Sequence, residues 1–324
     1  MTTAARRARV VEAMTDAGVD VLVLGREANA RYVSGADRLW LAGTRPFAPG
    51  CVLSATTGEV HLLSITDDGC PPDIGADHLF PISWNPMTIL GNLAAIPGVS
   101  GATRIGVDGM TPLFEQLLGA TLPEAELVDA ERLLRTLRRV KDTDEVEAVR
   151  AAVAAAEGAL ARTNEALAPG VREVDLKACF EEHMTGAHLT APAFEGTFCV
   201  AVAGAAPRTF VTDRAVRNSD RVHVRAGVIR AGYEGLVTRT LVCGDTPASA
   251  RGLADALGRC SPGTRVGDIR AAGIGIEGTG LGHEELGDED VLVAGMTVAV
   301  EVLDDGVLDG AVVHVTETGP TTLP

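Results

Sequence analysis

With 324 residues, 46% of them hydrophobic and 22% charged, the chain is long enough for two domains that each bury a core, and too apolar to be disordered. A formal net charge of -16 excludes the broad basic face that nucleic acid or an anionic membrane requires. The N-terminal MTTAARRARVVEAM lacks the apolar core of a signal peptide, and no run approaches ~18 apolar residues, so a cytoplasmic protein is expected. Residues 4–18 predict a helix with Val10, Val11, Met14 and Ala17 on one stripe and Gly18 as its stop. Val21-Leu22-Val23-Leu24 reads as a buried strand, and Cys51–Ser54 and Val60–Ser64 as two more around a Thr57-Gly58 turn. The Pro-, Asp- and Gly-rich stretch 67–87 reads as loop, followed by strands at Arg104–Asp108 and Leu127–Asp129. Strands alternating with helices predict a compact α/β domain.

Beyond it, Leu133–Arg150 reads as a charged amphipathic junction. The segment Pro169-Gly170-Val171-Arg172-Glu173-Val174-Asp175-Leu176 recurs as Pro262-Gly263-Thr264-Arg265-Val266-Gly267-Asp268-Ile269, each copy opening a helix. Two copies imply a pseudo-twofold duplication, not a solenoid. Arg221–Thr240, RVHVRAGVIRAGYEGLVTRT, reads as a hairpin of two half-buried strands reversing at Gly232. Six scattered cysteines, at 51, 70, 179, 199, 243 and 260, form no C-x-x-C pair and read as free thiols of a reducing compartment.

The hairpin frame x-G-x4-G-Y-x4-T-R-T, carried by Gly227, Gly232, Tyr233, Thr238, Arg239 and Thr240, resembles the metal hairpin of the M24 family. That family comprises Xaa-Pro aminopeptidases, prolidases, methionine aminopeptidases and creatinases, and shares the pita-bread fold. Asn29-Ala30-Arg31-Tyr32-Val33-Ser34-Gly35 resembles a segment of the creatinase/prolidase N-terminal domain, and the 133–150 junction resembles the family's linker and first catalytic helix. The resemblance implies an α+β protein: a creatinase-like α/β domain over 1–132, then a duplicated, pseudo-twofold pita-bread domain over 133–324. Little chain separates Thr240 from Ile276, so this domain is expected to be shortened in its second half. It also implies a homodimer.

A two-metal hydrolase needs several anionic or imidazole donors converging on its ions. The family supplies two Asp from the hairpin, a His from H-G-x-G and two late Glu. Here Arg225 and Leu236 stand at the Asp positions, Glu277 or Ile276 at the His, Glu301 at the first Glu and Gly310 at the second. Neither a metal nor another cofactor is therefore expected. His283-Glu284 resembles the family's H-E pair, where the His contacts substrate, and Arg208 replaces a second substrate-contacting His. Creatinase, metal-free in that family, uses such a His as its acid–base group, so its chemistry does not carry over. Arg239 is expected to make a structural salt bridge.

Two readings of the altered centre stay open. Arg225 and Glu301 form an ion pair that fills an abandoned pocket, or the pocket is repurposed. In the second, Arg225 and Arg208 grip a carboxylate, Glu301 and His283 act as base and acid, and Tyr233, Glu277 and Glu284 help bind. The second is preferred, because simple decay would scatter small apolar residues. The expected function is a metal-independent enzyme of hydrolase, lyase or cyclase type on a small anionic substrate. The alternatives are a non-catalytic pseudopeptidase that binds or scaffolds, and an Xaa-Pro peptidase with a rebuilt metal site.

Overall fold

The computed structural model describes residues 3–36, 49–64, 67–81, 83–186 and 191–324, which form two compact units dividing between Arg138 and Arg139. The boundary expected at 132/133 falls inside a helix that runs Glu131–Arg139.

In the first unit, α1 (Thr3–Asp16) buries Val10 and Met14, while Ala17 of the expected stripe lies past its end and is exposed. Then come β1 (Val21–Leu24), α2 (Glu27–Ser34), β2 (Cys51–Ser54), β3 (Val60–Leu63), β4 (Leu79–Phe80), α3 (Pro86–Ala95), β5 (Arg104–Asp108), α4 (Pro112–Thr121), β6 (Glu126–Asp129) and α5 (Glu131–Arg139). The strands make one mixed sheet in the order β4-β3-β2-β1-β5-β6. β1 is buried along its whole length because it is interior, antiparallel to β2 and parallel to β5. One sheet face, through Val21, Val23, Val52, Leu63 and Phe80, packs against Ile89, Leu90 and Leu93 of α3 and Phe114 and Leu118 of α4. Both helices start on a side-chain cap followed by proline: Asn85 accepts from the Met87 N–H, and Thr111 from the Phe114 N–H. The stretch 67–87, expected to be loop, holds β4 and the start of α3; two residues of strand leave no periodicity to detect. Asn29 of the N-x-x-Y segment is buried and donates to Asp108 at 2.5 Å and Glu131 at 2.6 Å, which ties α2 to the end of β5.

The second unit opens with α6 (Thr143–Glu165), whose Asp142 and Glu145 form a reciprocal capping box. It continues through α7 (Glu173–Gly186), β7 (Ala191–Pro192), β8 (Thr197–Val200), β9 (Arg221–Arg230) and β10 (Tyr233–Val242). The second half has α8 (Leu253–Gly258), α9 (Val266–Ala271), β11 (Gly275–Gly280), β12 (Gly282–Glu284), β13 (Thr297–Asp304), β14 (Val307–Thr316) and β15 (Gly319–Leu323). β9 pairs with β7, β8 and β10, while the other sheet runs β12-β11-β13-β14-β15.

The sequence repeat is also a hydrogen-bond repeat. The Gly170 N–H donates to Val216 O and the Glu173 N–H to Arg214 O; the Gly263 N–H donates to Leu292 O and the Val266 N–H to Asp290 O. Each central hairpin closes on two residues with positive φ, Ala231 (50°) and Gly232 (83°) in one, Asp305 (49°) and Gly306 (68°) in the other. This is the two-residue turn whose twist matches antiparallel strands. The shortening of the second half is visible as helices of 6 and 6 residues where the first half has 23 and 14. Among the described residues no helix is long and apolar enough to cross a membrane.

Candidate active site

Period-two alternation decides which side chains meet in the second unit. Even-numbered Val222, Val224, Ala226 and Val228 of β9 join Val237 of β10 in a core against α6 and α7. Even-numbered Val298, Val300 and Val302 of β13 join Ile274 and Ile276 in a second core against α9. The opposite faces of the two sheets present Arg225, Leu236 and Thr238 from one half, and Glu277, Ala299 and Glu301 from the other. These residues, with Phe194, Arg270 and Val312, line a cavity of about 320 Å³.

Arg225 sits at its centre. Its Nε donates to Glu301 Oε2 at 3.0 Å and its Nη2 to Glu277 Oε1 at 2.5 Å, and its guanidinium lies over the Phe194 ring, 4.8 Å from the centroid. Burial opposes the charge on Arg225, but Glu277 and Glu301 outweigh that and raise its pKa further. Of the two residues left open in the sequence, Glu277 pairs with Arg225, while Ile276 packs in the core behind it.

A residue missed in the sequence lies on the same face of β10. Glu234 is only 3% exposed, and its Oε2 has no hydrogen-bond partner among the described residues. Burial, reinforced by Glu277, partly offset by Arg225 and reinforced again by Glu284, raises its pKa to about 8. A polar residue at an inward position of an otherwise apolar or small stretch was the available signal.

The other expected site residues are placed elsewhere in this unit or used differently. Arg208 does not line the cavity: it pairs with Glu173, a buried carboxylate that also accepts from the Val200 N–H, the Thr212 N–H and the Thr212 hydroxyl. Tyr233 points to the helix side of β10, where its hydroxyl donates to Glu145 at 3.1 Å. Glu284 forms a buried ion pair with Lys141 at 2.6 Å, the two side chains 2% and 1% exposed. His283 pairs with Thr279 through the backbone of β12, and its side chain lies outside the described residues. Arg239 makes a structural bridge to Glu157 at 2.7 Å. The expected pair of arginines gripping one carboxylate is thus not assembled, since one is held on Glu173 and the other is divided between two glutamates.

The donor set does not fit a pair of divalent ions. A guanidinium, not a carboxylate, lies between Glu277 and Glu301, and Leu236 offers no ligand atom. Nor is there room for a carboxylate at Gly310, where even a Cβ would meet Val300 O at 2.5 Å and Thr238 Cβ at 3.0 Å.

Residues 6–140 match the creatinase/prolidase N-terminal domain, and residues 147–274 match metallopeptidase family M24. An Xaa-Pro dipeptidase of Pyrococcus horikoshii is 23% identical over 240 residues, a match taking in 73% of this chain and 63% of that protein. The chain thus spans less than two thirds of that curated relative's length. An Xaa-Pro dipeptidase structure from Bacillus anthracis matches with a TM-score of 0.78 at 19% identity, over 99% of this chain and 97% of that one. A dipeptidase structure from Mycobacterium ulcerans matches with a TM-score of 0.72 at 25% identity, over 99% and 95%.

Proposed function

The chain belongs to peptidase family M24, with a creatinase-type N-terminal domain and a pita-bread second domain, and from that premise we propose a metal-independent enzyme of hydrolase, lyase or cyclase type. The observation that carries this reading is the guanidinium of Arg225 forked between Glu277 and Glu301 where the family's paired metals are expected. A metal acidifies water and polarises a carbonyl. A guanidinium does not acidify water, but it holds two carboxylates aimed into the cavity.

Glu301 is the general base. Its Oε2 accepts from Arg225, and its Oε1 has no hydrogen-bond partner among the described residues and can take a proton from substrate or water. Glu234, protonated up to about pH 8, is the matching acid, within electrostatic reach of Glu277. His283 is the second candidate acid. The substrate's head group is proposed as neutral or cationic, in place of the anionic one expected from sequence. With Glu234 protonated and the lining Arg270 engaged by Asp288, Arg225 between two glutamates leaves the centre one negative charge in excess, and Arg208 is engaged by Glu173.

The test is turnover of small amides, amidines and Xaa-Pro dipeptides by metal-stripped protein. Activity that persists in EDTA and falls roughly 100-fold in Glu301→Gln supports the reading. Activity that appears only with added Mn2+, Co2+ or Zn2+ overturns it in favour of a rebuilt peptidase. The pseudopeptidase reading is favoured by one observation, that both donor edges used by Arg225 are already satisfied within the protein. No turnover, with stoichiometric co-purification of a partner, would put it first. A homodimer is proposed from the family resemblance, to be checked by sedimentation, and six unpaired cysteines suit a cytoplasmic location.

A further inference from the structure

In the first unit β3 and β4 run parallel, with Leu62 opposite Leu79 and Leu63 opposite Phe80. Continued one turn of the pleat back, that register sets His61 beside His78, and their rings lie with centroids 4.6 Å apart and planes tilted by 39°. Glu59 precedes His61 by two residues and so shares its face of the strand. One ligand atom from each of Glu59, His61 and His78 lies within 4.8 Å of the others. Leu63 and Phe80, on this same face, belong to the core of the unit, and His61 at its margin is only 6% exposed. Neither imidazole has a hydrogen-bond partner among the described residues.

We propose that Glu59, His61 and His78 form a mononuclear site for a borderline divalent transition cation of the Zn2+, Co2+ or Ni2+ class. Two imidazoles and one carboxylate suit such ions and not the hard, oxygen-seeking Mg2+ or Ca2+. Bonds of ~2.1 Å put neighbouring donors of a tetrahedron roughly 3.4 Å apart, so the three residues close by rotation of the half-buried Glu59 and His78. Three protein donors leave a fourth position to water. Bound there, the ion staples the two-residue β4 and the preceding turn to the sheet. None of the three residues stands at a position where the M24 family holds its metals.

The test uses the full chain stripped with EDTA and titrated with Co2+. The expected result is one Co2+ per chain, with visible ligand-field bands and a raised Tm. Both are lost in His78→Ala and in His61→Asn, weakened in Glu59→Gln, and unchanged in Glu301→Gln. His78 is half-buried, so His78→Ala is the variant expected to fold, checked by the Tm of its metal-free form. No saturable Co2+ at one per chain overturns the proposal, as does binding that survives His78→Ala. Binding lost in Glu301→Gln but kept in His78→Ala would instead locate the ion in the second unit and sink the metal-independent reading.

Discussion

The consequence of placing a charge in the second unit depends on whether its partner is equally buried. Lys141 and Glu284 are a closed pair, and Lys141→Met should cost about 3–5 kcal/mol because it strands a buried carboxylate. Adding Glu284→Leu should recover most of that loss in urea titrations; if the double variant is no better than the single, the cost lies in packing and not in charge. Arg208 tests the assignment of residues to sites. It secures Glu173, so Arg208→Met should lower stability by about 1–3 kcal/mol and leave binding in the cavity unchanged. A change of ligand affinity with no change of stability would return Arg208 to the site that the sequence suggested. At this scale the sequence identified Arg225, Glu277 and Glu301, because each falls in a motif. It did not identify Glu234 or Lys141, which gain meaning only from what a second strand brings near them.

At the scale of elements the legible parts were those with local rules. The hairpin reverses at Gly232, and both repeats start a helix at the same offset, because turn geometry and backbone hydrogen bonds are written in short segments. β4 and β12 went unread, being two and three residues long and defined only by pairing with distant strands. His61 and His78 were likewise invisible as a pair, since only the parallel register of β3 and β4 makes them neighbours. The helix-to-sheet contact in the first half of the second unit offers a sharp test. A Cβ at Gly235 would lie 2.1 Å from the carbonyl carbon of Ala152 and 2.3 Å from its oxygen, so α6 rests directly on the β10 backbone. Gly235→Ala must push a 23-residue helix off its sheet, and a loss of about 3 kcal/mol or more is expected. A near-neutral melting temperature would show that α6 shifts more easily than backbone-on-backbone contact allows.

For the molecule as a whole, composition and motif order were enough to anticipate two domains and a duplicated second one, because hydrophobic pattern and repeat spacing survive where catalytic residues do not. What they could not give is the balance of charge inside the fold, and that balance sets how stability depends on pH. Glu234 is held protonated by burial and by Glu277 and Glu284, against the pull of Arg225, with its pKa raised from 4.5 to about 8. The folded state therefore keeps a proton between those values that the unfolded chain has released, and stability falls as pH rises through that window. The contribution is fully present below pH 4.5 and gone above about pH 8. Glu173 acts in the opposite sense: burial opposes its charge, but bonds from Val200, Arg208 and Thr212 lower its pKa, so its contribution is lost only as pH falls into the acid range. His61 and His314, whose pKa values burial lowers, oppose that slope below about pH 6.5, so from there to pH 8.5 it should belong mainly to Glu234. Unfolding free energies measured across that range should fall by on the order of 2 kcal/mol in the wild type and stay nearly flat in Glu234→Gln, which mimics the protonated form. Parallel curves for the two proteins would mean that Glu234 is ionised at neutral pH, and it could not then serve as the acid opposite Glu301.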